Sequence, residues 1–174
     1  MRPVIKTVIL LLILAAVGGV LYTAIIKNKQ PLIQTGKPAP EFIAKDLNGK
    51  EVRLSQLKGK GIILNFWGTW CVPCREEMPT LEQISKEYAD KGIMVLAVNN
   101  GESLVTVKGF ADQYKLTFPI LLDPKLDISR AYQVITLPTT YFIKPDGTVA
   151  KKIVGGPISR DVILDNIKQM GVNK

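Results

Sequence analysis

The two cysteines of the chain stand three residues apart, in Trp70-Cys71-Val72-Pro73-Cys74. A pair so spaced can close a small disulfide. At the start of a helix, the first sulfur would also face unsatisfied backbone N–H groups and the positive end of the helix dipole. A free thiol, with a reference pKa of about 8.5, is little ionised at neutral pH, whereas such settings bring it to roughly 3.5–7.5 and so speed exchange. The expectation is that Cys71 attacks a disulfide and that Cys74 resolves the resulting mixed disulfide from the same turn. Pro73 suits the first helical turn, where its missing N–H would have found no helical acceptor.

Other uses of two thiols meet obstacles. With no histidine in the chain, Ser-His and Cys-His catalytic arrangements are excluded and the usual imidazole metal ligand is missing. A zinc site needs about four ligands, so it would require thiols from a second copy, and no metal ligand set is expected. Haem attachment through Cys-x-x-Cys-His is excluded because Arg75 follows Cys74. A purely structural bridge would close a tiny loop and stabilise little. Metal binding and a structural bridge are the alternatives to redox chemistry. Peroxide reduction suits a lone reactive thiol with a distant resolver better than two thiols in one turn.

The elements that must position these thiols are legible around them. The run 62–67 is nearly all apolar, as expected of a central strand covered on both faces, and the cysteines follow it directly. A helix to about Asp90 carries Leu81, Ile84 and Tyr88 on one face, and a second buried strand spans 93–98. Leu104, Val107, Ala111 and Tyr114 mark a further helix, 119–122 a short strand and 126–132 a short helix. Strands at 42–45 and 52–54 flank the Asn48-Gly49 turn of an opening hairpin, and strands at 139–143 and 148–154 flank Lys144-Pro145-Asp146-Gly147 in a closing one. Ile163, Ile167 and Met170 mark a final amphipathic helix.

The residues from Thr7 to Ile26 contain no charged side chain. At about 1.5 Å rise per residue they would cover about 30 Å, the hydrocarbon thickness of a bilayer. A signal peptide with Arg2 and Lys6 as its basic head is the rival reading, but a signal core is normally shorter and no cysteine follows to accept a lipid. The expected organisation is a cytoplasmic N-terminus over 1–6, an uncleaved transmembrane signal-anchor over 7–26, a linker over 27–35 and a folded domain over 36–174. The three prolines between 31 and 40 suit an extended tether. Positive charge on both flanks gives only a lean toward a cytoplasmic N-terminus. No acid precedes Glu41, so most of the net charge of +8 belongs to this N-terminal stretch. The remaining basic residues are interleaved with acids and no nucleic-acid motif is present, which argues against nucleic acid as a partner.

The stretch Asn65-Phe66-Trp67-Gly68-Thr69-Trp70-Cys71-Val72-Pro73-Cys74 resembles the active-site strand and helix start of thioredoxins. Pro79 matches that family's kinking proline, and Leu137-Pro138-Thr139 looks like its cis-proline loop facing the cysteines. With Gly36-Lys37-Pro38-Ala39-Pro40-Glu41-Phe42 and the room between Val98 and Pro138 for an added helix and strand, the chain resembles the TlpA/ResA-like branch. The resemblance implies an α/β thioredoxin-like fold with an N-terminal β-hairpin and a central αβ insertion. It implies a thiol-disulfide oxidoreductase outside the cytoplasmic membrane, with the redox-active disulfide Cys71–Cys74 and no other cofactor. It further implies reduction of the disulfide in apocytochrome c haem-attachment sites, with recharging by a CcdA-type membrane thiol carrier. A reductant, oxidant or isomerase of other extracytoplasmic protein disulfides, and a non-catalytic metal- or haem-handling assembly module, are the alternatives.

Two positions depart from the pattern. Asn65 stands where most thioredoxins carry a buried Asp, so a proton shuttle must come from elsewhere. Glu77, one helical turn beyond Cys74, matches an acidic residue of the ResA-like branch, and the expectation is that it tunes the thiols and assists proton transfer. Val72 stands where that branch often carries Glu, which removes a carboxylate that would disfavour a neighbouring thiolate. The expected catalytic residues are therefore Cys71, Cys74 and Glu77. Trp70, Val72, Pro73, Leu137 and Pro138 are expected to meet substrate; a cis-proline has no N–H and leaves the backbone of Leu137 free to pair with an extended peptide. Trp67 and Trp70 are expected as packing and rim residues, since indole offers no acid-base chemistry.

Overall fold

The computed structural model describes residues 3–27 and 33–172. Parts of the expected N-terminus (1–2) and tether (28–32), and residues 173–174, lie outside the described residues. Helix α1 spans Pro3–Lys27. It starts earlier than the uncharged run because Pro is tolerated in a first turn, where its N–H would have no partner. Within it, the 21 residues Pro3–Thr23 are long and apolar enough to cross a membrane. A separate compact unit begins at Ile33.

In that unit β1 (Ile43–Asp46) and β2 (Glu51–Arg53) form the opening hairpin. Gly49 takes a φ of +79°, and Asp46 Oδ1 accepts from the backbone N–H of Asn48 (2.8 Å) and Lys50 (2.9 Å). The strands sit about one residue away from the sequence expectation, because Leu54 leaves β2 to bury itself in a 3-10 turn over Leu54–Leu57.

At the centre lies β3 (Gly61–Trp67), buried at every position. It pairs in parallel with β4 (Ile93–Asn100) and antiparallel with β6 (Thr139–Ile143). With β5 (Ile120–Asp123) parallel to β4, and β7 (Val149–Val154) antiparallel to β6, the sheet runs β2-β1-β5-β4-β3-β6-β7. Side chains alternate across β3, as the two-residue period of a strand demands. Ile62, Leu64 and Phe66 pack with Phe42, Tyr132 and Tyr141, whereas Ile63 and Trp67 pack with Met78, Leu81 and Ile84 of α2 (Val72–Tyr88). Burial of each such side chain stabilises by about 1.5–3 kcal/mol.

Helix α3 spans Leu104–Tyr114, α4 Asp127–Ala131 and α5 Arg160–Gln169. Ser103 and Ser159 cap α3 and α5, their hydroxyls accepting from Thr106 N and Val162 N. On α2, Glu82 ties the segment before β5 in place by accepting from Thr117 N (2.8 Å) and Thr117 Oγ1 (2.7 Å). Burial pushes the Glu82 carboxyl up, but these bonds and Lys86 outweigh it and hold the group below its ordinary value.

Candidate active site

Cys71 is the N-cap of α2, with φ −84° and ψ 109°, and its Sγ accepts from Cys74 N at 3.3 Å. The chain turns sharply between β3 and this cap, through a bond from Cys71 N to Gly68 O (3.1 Å). A Cβ at position 68 would lie 2.9 Å from the exposed Trp70 indole, so a larger residue there would push that ring aside. Cys71 and Cys74 are joined, with an S–S distance of 2.03 Å and Cα atoms 5.2 Å apart. Cys71 is 5 % exposed and Cys74 fully buried, while Trp70 (66 %) and Val72 (53 %) stand out at the surface beside them. Pro73 is half-buried in the first turn. Trp67 is wholly buried in the core, and Trp70 lies at the surface.

Glu77 is fully buried, with no solvated helix-surface position of the kind common for an exposed Glu. Its Oε1 accepts from Asn65 Nδ2 at 2.7 Å and its Oε2 from Ile158 N at 2.9 Å. Burial pushes its carboxyl above the ordinary value of 4.5, and the two hydrogen bonds offset only part of that rise. Lying three residues after Cys74 on α2, it is one helical turn from that sulfur's residue.

The Leu137–Pro138 bond is cis. Register places it: Phe66 pairs with Thr139, so residues 137–138 lie beyond the end of β3 from which the cysteine turn departs. Leu137 packs against the core cluster that holds both cysteines, and Pro138 is buried. Pro138 O accepts from Gly155 N at 2.8 Å.

Two parts of the site had no sequence signal. Glu102, just past β4, accepts from Thr69 N (2.7 Å), Thr69 Oγ1 (2.5 Å) and Asn99 Nδ2 (2.7 Å), and so holds the turn before Cys71. The loop 155–158 meets both Glu77 and Pro138: a Cβ on Gly156 would lie 2.7 Å from Pro138 Cγ and 3.0 Å from Glu77 Oε2. Their partners are far away in sequence, Thr69 for Glu102 and Glu77 for the loop, so no local pattern marks them. Among the described residues no group of three or more His, Cys, Asp or Glu is gathered as metal ligands.

Residues 35–152 match the family model described as AhpC/TSA. The thiol-disulfide oxidoreductase ResA of Bacillus subtilis (strain 168) is 43 % identical over 164 residues, covering 94 % of this chain and 90 % of that protein. The chain belongs to the AhpC/TSA family, as a ResA-like thiol-disulfide oxidoreductase. ResA of Geobacillus thermodenitrificans (strain NG80-2) is likewise 43 % identical over 169 residues, covering 97 % of this chain and 96 % of that one. A solved structure of a putative thiol:disulfide interchange protein DsbE from Chlorobium tepidum superposes with a TM-score of 0.75 at 32 % identity, covering 80 % of this chain and 99 % of that one. The thioredoxin-like fold and the redox-active pair are thus those of an enzyme that exchanges disulfides with protein substrates.

Proposed function

We propose that this oxidoreductase is anchored by α1, carries its compact unit on the extracytoplasmic side, and reduces the disulfide of apocytochrome c CxxCH haem-attachment sites. A CcdA-type membrane thiol carrier returns it to the dithiol state. The observation that carries the reading is the asymmetry of the pair, with Cys71 at the cap beside exposed Trp70 and Val72, and Cys74 sealed behind it. The apolar span of α1 supports the anchor, and the resemblance to the ResA-like branch supports the substrate.

In the reduced protein Cys71 faces the free N–H groups of the first turn of α2, which favour its thiolate. The thiolate attacks one sulfur of the substrate disulfide; a Cys71–substrate S–S bond forms, and the other substrate sulfur leaves as a thiolate that takes a proton from solvent. Cys74 passes its thiol proton to the Glu77 carboxylate and attacks Cys71 Sγ. The Cys71–Cys74 bond forms, the mixed disulfide breaks, and the second substrate sulfur departs with the electron pair. Two electrons have passed from the protein dithiol to the substrate. Trp70, Val72, Pro73 and Leu137 form the surface the substrate meets, and the buried Pro138 adjoins it.

The test is trapping with the full chain in membranes. Cys74→Ala should stall a mixed disulfide with an oxidised CxxCH peptide on Cys71, and Cys71→Ala should trap nothing. Trapping by the Cys71 variant alone would reverse the division of roles, and a strongly oxidising reduction potential would remove the reductant assignment.

A further inference from the structure

Asn65 lies on β3 directly opposite Thr140 of β6, on the face that meets α2. Its Nδ2 makes two bonds, to Glu77 Oε1 at 2.7 Å and to Thr140 Oγ1 at 3.0 Å. Its Oδ1 is buried with no hydrogen-bond partner. Both carboxyl oxygens of Glu77 therefore face N–H donors, Asn65 Nδ2 on one and Ile158 N on the other. That arrangement fits an ionised carboxylate. A neutral Glu77 accepts from Nδ2 more weakly than a carboxylate does, and an acceptor in the place of Nδ2 would let its O–H donate instead.

The missing acceptor belongs to the same side chain. Turning the Asn65 carboxamide over brings Oδ1 to the place of Nδ2, where it can accept from a neutral Glu77 and from the Thr140 hydroxyl. A hydroxyl both donates and accepts, so Thr140 can pair with whichever amide atom faces it. On its other side Glu77 Oε2 meets Ile158 N and lies close to Gly156, and no charged group is among the causes that shift the carboxyl.

We propose that Asn65 and Thr140 are positioning residues for Glu77: the Asn65 carboxamide presents Nδ2 to the ionised carboxyl and turns over to present Oδ1 when Glu77 takes up a proton. This rests on the reading of Glu77 as the acceptor of the Cys74 proton. In the resolving step that proton moves from Cys74 Sγ to Glu77, Asn65 reverses, and Thr140 changes from acceptor to donor. The device keeps a buried carboxyl hydrogen-bonded in both protonation states, so that it can take a proton and later release it without charged neighbours.

The test follows the side chains of the full-length oxidised protein in detergent micelles by NMR through the titration of the Glu77 carboxyl carbon. The contacts of the Asn65 amide protons with Thr140 should weaken with the same midpoint as that carbon, and Glu77→Gln should abolish the change. Asn65→Ala should move the Glu77 midpoint upward by about one pH unit, a tenfold change in proton affinity, because the charged form loses the stronger bond. Thr140→Ser should retain the wild-type midpoint. If Glu77 titrates while the Asn65 amide contacts stay constant, or if they change equally in Glu77→Gln, the switch is wrong and the role of Glu77 stands. If the pH profile of mixed-disulfide resolution is the same in Glu77→Gln as in wild type, the underlying reading fails, and the positioning role falls with it.

Discussion

Replacing Glu102 with Ala probes how firmly the turn before Cys71 is held. The substitution removes three accepted hydrogen bonds, from Thr69 N, Thr69 Oγ1 and Asn99 Nδ2. Bonds to a charged group contribute about 1.5–3 kcal/mol when well buried. Glu102 and Thr69 are only half-buried, so water can take over part of each bond, leaving about 1 kcal/mol apiece. The expected loss is about 3 kcal/mol for Glu102→Ala and about 1 kcal/mol for Thr69→Ala, which keeps its backbone donor. In urea unfolding of the oxidised protein, the double variant should reveal a coupling of about 1 kcal/mol, since the hydroxyl bond is lost only once. Freed from Glu102, the turn that sets Cys71 loosens, and mixed-disulfide formation should slow on the order of tenfold. Coupling indistinguishable from zero, with an unchanged rate, would refute the clamp.

Other consequences are as direct. Because Glu77 binds its proton more tightly folded than unfolded, the folded state holds more protons above the ordinary value of 4.5, and stability should fall as pH rises through that interval. Glu77→Gln should flatten this slope in unfolding curves and be the more stable protein at neutral pH; a steeper slope would contradict the burial argument. Glu82 behaves oppositely: its lowered carboxyl contributes stability above the ordinary 4.5 that is lost as pH falls through its folded value. Glu82→Gln should cost about 1–2 kcal/mol at neutral pH, and the difference from wild type should shrink in acid. Trp70→Ala should leave the unfolding midpoint almost unchanged, within about 0.5 kcal/mol, because the ring is largely exposed, yet weaken peptide-disulfide reduction severalfold. A large loss of stability would show that the ring is part of the core.

Local chemistry was legible from residue order alone. The apolar run that became β3, the cap at Cys71, Pro73 in the first turn and the hairpin turns at Gly49 and Gly147 each depend on neighbours within a few residues. The uncharged stretch inside α1 and the thiol pair required no folding to be recognised, since length, spacing and the absence of histidine sufficed. Tertiary structure decided what surrounds those thiols. Glu77 could have been a solvated helix residue; its burial follows from β3 and the loop 155–158 closing over α2, 12 and 81 residues away in sequence by its two hydrogen bonds. Glu102 reaches Thr69 across 33 residues, and Asn65 reaches Thr140 across 75. Hydrophobic period and turn chemistry act along the chain and are written in it, whereas the proton affinity of a carboxyl depends on which distant strands and loops exclude water from it.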